Sequence, residues 1–116
     1  DIVNPIHSNT YLDYSYQSIS LEKAYNFEPI PKELHSKYHH QIIGTGCQMW
    51  GEWIPSRGEM HFQTFPRIAA FAEVGWTRKE NKNYAAFEKR LEPLYSRWKS
   101  NGLYPAPLEA AVQAKK

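Results

Sequence analysis

The chain has 116 residues, a net charge of +2 with both signs mixed along its length, and 15% aromatic side chains. That length fits one small domain, no basic block favours nucleic acid, and no apolar run approaches the ~18 residues of a membrane span. The one cysteine, Cys47, leaves no internal disulfide; without a nucleophile motif around it, Cys47 reads as a small buried residue beside glycines.

The opening DIVNPIHS has no charged leader followed by an apolar stretch, so it does not read as a signal peptide, and it is expected to be the interior of a longer protein. Residues 2–6 are short, apolar and β-branched, a strand in which Pro5 disfavours a central position. A polar stretch over 7–10 leads into Tyr11-Leu12-Asp13-Tyr14-Ser15-Tyr16, dense in aromatics with one acid. Residues 18–27 predict a short helix capped by Ser18 or Ser20, with Leu21, Ala24 and Tyr25 on one face and Pro29 and Pro31 ending it. Residues 32–40 are polar and read as a loop or a turn of surface helix. His35, His39 and His40 there have a spacing seen in some zinc sites, but no third ligand is evident and a solvated surface is expected.

Residues 41–50 predict a second strand whose glycines permit close backbone approach. Ser56 and Glu59 fit a capping box. After it, Met60, Phe62, Phe65, Ile68, Ala69, Ala72 and Trp76 are expected to share an apolar face, with Pro66 kinking or splitting the helix. Asn81 or Asn83 caps a further helix with a stripe of Tyr84, Phe87, Leu91, Leu94, Tyr95 and Trp98, a threatened kink at Pro93 and a stop at Asn101-Gly102. Trp76 and Trp98 are expected in the core. Leu103-Tyr104 predicts a last short strand, and residues 105–116 a tail outside the core. Strands alternating with helices argue for a parallel α/β arrangement. Two or three strands cannot close a barrel, so more protein or a partner is expected around them.

Two segments share a design. Tyr11-Leu12-Asp13-Tyr14 and Trp50-Gly51-Glu52-Trp53 each bracket a carboxylate with aromatics at an expected strand end. Ligands bind at the carboxyl ends of strands in such folds. A sugar suits this pairing of residue types: a carboxylate takes charge-assisted hydrogen bonds from hydroxyls, and an aromatic plane packs against C–H faces. From composition alone, chance pairing in an aromatic-rich chain remains the other reading. Trp53 is expected to pack beside the pocket, and Arg67 and Glu73 to make internal polar contacts.

Taken in order, TYLDY, IIGTGCQMWGEWIP and FPRIAAFAEVGW resemble the closing third of the catalytic domain of family 20 glycoside hydrolases, a likeness that runs over residues 1–104. The resemblance implies an α/β fold: a partial (β/α)8 TIM barrel of roughly the last three β/α units, with 105–116 as an Ala/Lys-rich tail. It implies part of an exo-β-N-acetylhexosaminidase that removes terminal β-linked N-acetylglucosamine or N-acetylgalactosamine with retention. The sugar's own acetamido oxygen is the nucleophile, an exception to the two-carboxylate scheme. Tyr11 then matches the tyrosine that donates to the acetamido oxygen, and Trp50 one wall of the box around its methyl. Asp13 and Glu52 match the acids near O4 and O6. Nothing in the chain matches the family's catalytic Asp-Glu pair. The family needs no metal or other cofactor, and its members are secreted, periplasmic or lysosomal. The implied partners are a terminal N-acetylhexosamine and the rest of the parent barrel or another copy of the chain, with no nucleic acid or membrane. Two alternatives stay open: a non-catalytic α/β fragment serving as a carbohydrate-binding or self-associating module, and a degenerate relative that keeps only the fold.

Overall fold

The structure, a computed structural model, describes residues 1–112. Two short strands, β1 (Ile2–Val3) and β2 (Ile42–Gly44), pair in parallel with Ile2 opposite Ile42 and Val3 opposite Gly44. The parallel pairing is as expected, but both strands are shorter than their sequence patterns. Beyond them the two chains stay side by side. Asn4 N donates to the Gly44 carbonyl at 3.0 Å, and Tyr11 bridges in parallel to Gln48. In between, one helical turn, α1 (His7–Thr10), carries the first chain out of the ladder and back.

Helix starts follow their caps. Ser20, not Ser18, caps α2 (Leu21–Tyr25), its hydroxyl accepting from Lys23 N at 3.1 Å. Ser56 caps α3 (Arg57–Thr64) by accepting from Glu59 N at 3.1 Å. The chain divides at Phe65-Pro66, and α4 (Arg67–Trp76) begins directly after it. Asn83, not Asn81, caps α5 (Tyr84–Ser100), which runs unbroken through Pro93. The helix stops at Asn101, with Gly102 at φ +75°, the left-handed position glycine occupies without strain.

The core lies among the helices and the loop before α2. Leu12, Tyr16 and Ile19 from that loop meet Leu21, Ala24 and Tyr25 of α2, Ala70, Phe71 and Val74 of α4, and Phe87 and Leu91 of α5. The Tyr25 ring stacks on Phe87 at 4.7 Å, and its hydroxyl donates to Glu73, which also pairs with Arg90 at 2.5 Å. The sheet is not part of this core: Ile2, Val3 and Ile43 are all exposed. A two-stranded parallel sheet has too little around it to cover either face.

Three expectations are corrected. The buried face of α4 is Arg67, Ala70, Phe71 and Val74, whereas Ile68, Ala72 and Trp76 point outward and Trp76 is 91% exposed. The break at Pro66 resets the helical phase, so a stripe drawn across it lands on the wrong side of α4. Trp98, by contrast, packs against the core as expected. Leu103 and Tyr104 form no strand; the backbone N–H of Leu103 returns to the Trp98 carbonyl at 3.0 Å to close the helix, and that of Tyr104 donates to His61 Nδ1. The segment after them does not lie outside the core. Ala106 and Ala111 are fully buried, Ala106 N donates to the Phe65 carbonyl at 2.9 Å, and α6 (Leu108–Ala111) packs alongside. Alanine's small side chain lets this backbone approach closely. Residues 113–116 of the expected tail lie outside the described residues.

Candidate functional site

Parallel pairing brings the first two candidates together. Leu12 N donates to the Gln48 carbonyl at 2.7 Å, and Gln48 N to the Thr10 carbonyl at 3.1 Å. The buried Thr10 hydroxyl also donates to Gln48 Oε1 at 2.8 Å. These bonds hold residues 10–12 beside 48–50, so the rings of Tyr11 and Trp50 lie 6.4 Å apart between centroids, tilted by 46°. Trp50 is 53% exposed, leaving ring surface open to a ligand. His7 and Tyr14 flank Tyr11 at 5.0 and 5.8 Å, and the Tyr14 hydroxyl hydrogen-bonds His7 Nε2. The Tyr11 hydroxyl makes no hydrogen bond among the described residues, which leaves its proton for a ligand.

Asp13 follows on the same turn, where Tyr14 N donates to the Tyr11 carbonyl at 3.3 Å. Its Oδ1 is buried and has no hydrogen-bond partner among the described residues, an exception among buried polar atoms. Below this turn lies Arg67, completely buried, whose guanidinium donates to the carbonyls of Leu12 and Tyr14 at 2.6 and 2.8 Å. The Tyr16 ring packs against it, with the guanidinium carbon 4.1 Å from the centroid. Burial pushes the Tyr16 phenol up to about 12, against the opposing pull of Arg67. Burial likewise raises the half-buried Cys47 thiol, and Arg67 opposes that as well.

Glu52 stands apart. It sits in a single 3-10 turn, Gly51–Trp53, closed by Ile54 N donating to the Gly51 carbonyl at 3.2 Å. Glu52 is exposed, and no hydrogen bond or ion pair joins it to Tyr11, Asp13 or Trp50 among the described residues. Trp53 beside it is 80% exposed rather than packed. The chain thus unites Tyr11 with Trp50, sets Asp13 on the same turn as Tyr11, and leaves Glu52 as an open flank.

The larger concavities lie elsewhere. One of about 610 Å³ is lined by Glu28, Pro31, His39, Ile42, Thr77 and Lys82. Another, of about 530 Å³, runs between Ile43 and Cys47 on one side and the outward face of α4, with Ile68, Ala72 and Trp76, on the other. Neither includes Tyr11, Asp13, Trp50 or Glu52. His35 and His39 belong to a 3-10 turn, Ser36–Gln41, and its approach: His35 Nδ1 accepts from Lys37 N, and the His39 ring bonds the Leu34 carbonyl.

Of the residues that matter to this geometry, sequence reasoning missed Thr10, Gln48 and His7, marked Tyr14 only as an aromatic beside Asp13, and gave Arg67 an internal role without its object. Adjacency to Tyr11 is the only signal that marks Thr10. Nothing in the sequence pairs Thr10 with a residue 38 positions away.

Parallel strands that lead at their carboxyl ends to an aromatic pair and an acid unpartnered among the described residues define a piece of a parallel α/β protein. The particular family follows from comparison: residues 1–79 match the glycosyl hydrolase family 20 catalytic domain, and the chain belongs to that family. It is 34% identical over 89 residues to the beta-hexosaminidase of Porphyromonas gingivalis, a match covering 76% of this chain and 12% of that one. It is 35% identical over 101 residues to beta-hexosaminidase subunit B2 of Dictyostelium discoideum, covering 86% of this chain and 17% of the relative. Among solved structures, a family 20 exo-β-N-acetylglucosaminidase from Vibrio harveyi, in complex with N-acetylglucosamine, superposes with a TM-score of 0.80 at 27% identity, covering 93% of this chain and 19% of that chain. A β-N-acetylhexosaminidase from Streptomyces coelicolor A3(2) shares the fold with a TM-score of 0.78 at 20% identity, covering 97% and 25%. These neighbours are family 20 TIM-barrel domains. The chain spans less than a fifth of the length of the curated relatives named here.

Proposed function

We propose that this chain is part of an exo-β-N-acetylhexosaminidase and supplies one side of the pocket for the terminal sugar. The observation that carries the proposal is the meeting of Tyr11 and Trp50 at the carboxyl ends of two paired parallel strands, in a chain of family 20. In this reading the free Tyr11 hydroxyl donates to the acetamido oxygen, which attacks the anomeric carbon to give an oxazolinium ring. Donation aligns the nucleophile and stabilises the charge that develops. Trp50 covers the acetamido methyl. Asp13 and Glu52 accept from hydroxyls near O4 and O6. The acid that protonates the leaving oxygen comes from elsewhere in the whole protein, as does the rest of the pocket.

The same reading accounts for the uncovered surfaces. The chain forms the closing β/α units of a (β/α)8 barrel, and the neighbouring barrel elements cover Ile2, Val3, Ile43, Ile68 and Trp76. Their exposure also favours a second reading, self-association of the chain through this face. Release of 4-nitrophenol from its β-N-acetylglucosaminide tests the first. The full-length protein is expected to turn over the substrate and this chain alone is not, because losing a general acid costs ~10²–10⁴-fold in rate. Turnover by the chain alone, or none by the full-length protein, contradicts the proposal. A concentration-dependent dimer of this chain alone would support the second reading.

A further inference from the structure

We infer that Arg67 is the positioning residue of this sugar site: its guanidinium fixes the turn that carries Asp13, and Asp13 serves as its counter-charge while keeping an oxygen free for a sugar hydroxyl. The inference rests on the reading of Asp13 as a sugar contact.

The first argument is geometric. Arg67 has five N–H donors, and five acceptors surround them. Nε donates to the Gln63 carbonyl at 3.1 Å; Nη1 to the carbonyls of Tyr14 and Ile19 at 2.8 and 3.1 Å; Nη2 to the Leu12 carbonyl at 2.6 Å and Gln63 Oε1 at 2.9 Å. Leu12 and Tyr14 are the residues immediately before and after Asp13. The loop between Tyr11 and α2 has no regular structure, so this one side chain does for it what a ladder does for a strand. An ammonium on a flexible stem has three donors on one atom and lacks the planar five-donor fork that reaches the acceptors on both sides of Asp13.

The second argument is about charge. Filled donors do not cancel a buried positive charge, and an uncompensated one is costly. Among the described residues the ion pairs are Lys79 with Glu28 and Arg90 with Glu73, so no carboxylate touches Arg67. Burial disfavours its charged form; Tyr16 and then Asp13 favour it, and Asp13 is the carboxylate among those groups. The carbonyls occupy every donor and hold Asp13 off from direct contact, and its Oδ1 remains buried and unpartnered. A contact ion pair through Oδ1 would have taken up acceptor capacity there. Without one, Oδ1 keeps its capacity to bind a hydroxyl.

The test measures kcat and KM of the full-length enzyme on an aryl β-N-acetylglucosaminide and on its 4-deoxy and 6-deoxy analogues. D13N is expected to abolish the preference for one of the two hydroxyls. R67K keeps the charge but loses the fork, and is expected to cut that same preference about fivefold or more, leaving the other intact. R67K that melts lower yet keeps the full preference overturns the inference and leaves Arg67 a scaffold only. If R67K does not fold, Q63A removes a single acceptor and is expected to lower the preference about twofold, with no change as the contrary result. Thermal unfolding of D13N, R67M and the double variant tests the charge pairing without activity. D13N is expected to lower the melting temperature with Arg67 present and to leave it unchanged in the R67M background, whereas additive shifts contradict the pairing. D13N with an unaltered hydroxyl preference would instead remove the sugar reading of Asp13 while the melting cycle stands.

Discussion

The two aromatic-flanked acids of this chain sit in turns of opposite character. Tyr11 and Asp13 stand over a buried guanidinium that grips the backbone on both sides of Asp13, and Leu12 between them is core. Glu52 and Trp53 stand on an exposed 3-10 turn closed by one backbone bond, with no side chain bonded to it from beneath among the described residues. Similar local composition therefore gives one turn held from beneath by a buried side chain and one that stands open to solvent. Precision at a binding site comes from the supporting shell rather than from the contacting residues alone.

R67M leaves the carbonyls of Leu12, Tyr14 and Ile19 without their donor and is expected to destabilise the full-length protein by at least ~3 kcal/mol in denaturant unfolding. Glu52→Gln in the same assay is expected to stay within about 0.5 kcal/mol of the parent, as exposed sites do. Equal losses at the two positions would dissolve the distinction between the turns.

Next comes the chemistry. Tyr11→Phe removes a hydroxyl that bonds nothing among the described residues, so the melting temperature should hold while kcat on the aryl β-N-acetylglucosaminide falls about 10²-fold or more. A lower melting temperature with unchanged kcat would make Tyr11 a structural residue. Trp50→Ala is expected to raise KM about two- to tenfold with little effect on stability, since half the side chain is already exposed. An unmoved KM would take Trp50 out of the pocket.

How much of this was legible in the sequence depends on how local each signal is. Caps are local, and Ser20, Ser56, Asn83 and Gly102 act at positions the sequence marked. The parallel order of the strands and the split at Pro66 were legible too. Helix phase across that split was not, because the residues on both faces of α4 are apolar and the buried one opens with an arginine. Nor was the burial of Ala106 and Ala111, which depends on the groove left between α3, α4 and α5 rather than on any pattern in the segment. For the site, the aromatic–acid pairs were visible, whereas the loop carbonyls that Arg67 holds lie 48 to 55 residues away and only the fold joins them to it.

A further expectation concerns pH. The Tyr16 phenol is raised to about 12 by burial, so folding favours its neutral form. The stability this contributes is fully present below the ordinary tyrosine range near 10 and is lost as pH rises towards 12. Alkaline unfolding should therefore steepen across that window, and Tyr16→Phe should flatten it. A variant whose alkaline limb matches the parent would show that the phenol does not titrate with unfolding.

The most direct test of the account is a crystal structure of the full-length protein with N-acetylglucosamine bound. The account predicts the Tyr11 hydroxyl within hydrogen-bond distance of the acetamido oxygen, Trp50 against its methyl, and Asp13 and Glu52 at the O4–O6 edge. A sugar bound away from these four residues, or Tyr11 and Trp50 closed over by protein with no room for a pyranose, would contradict it.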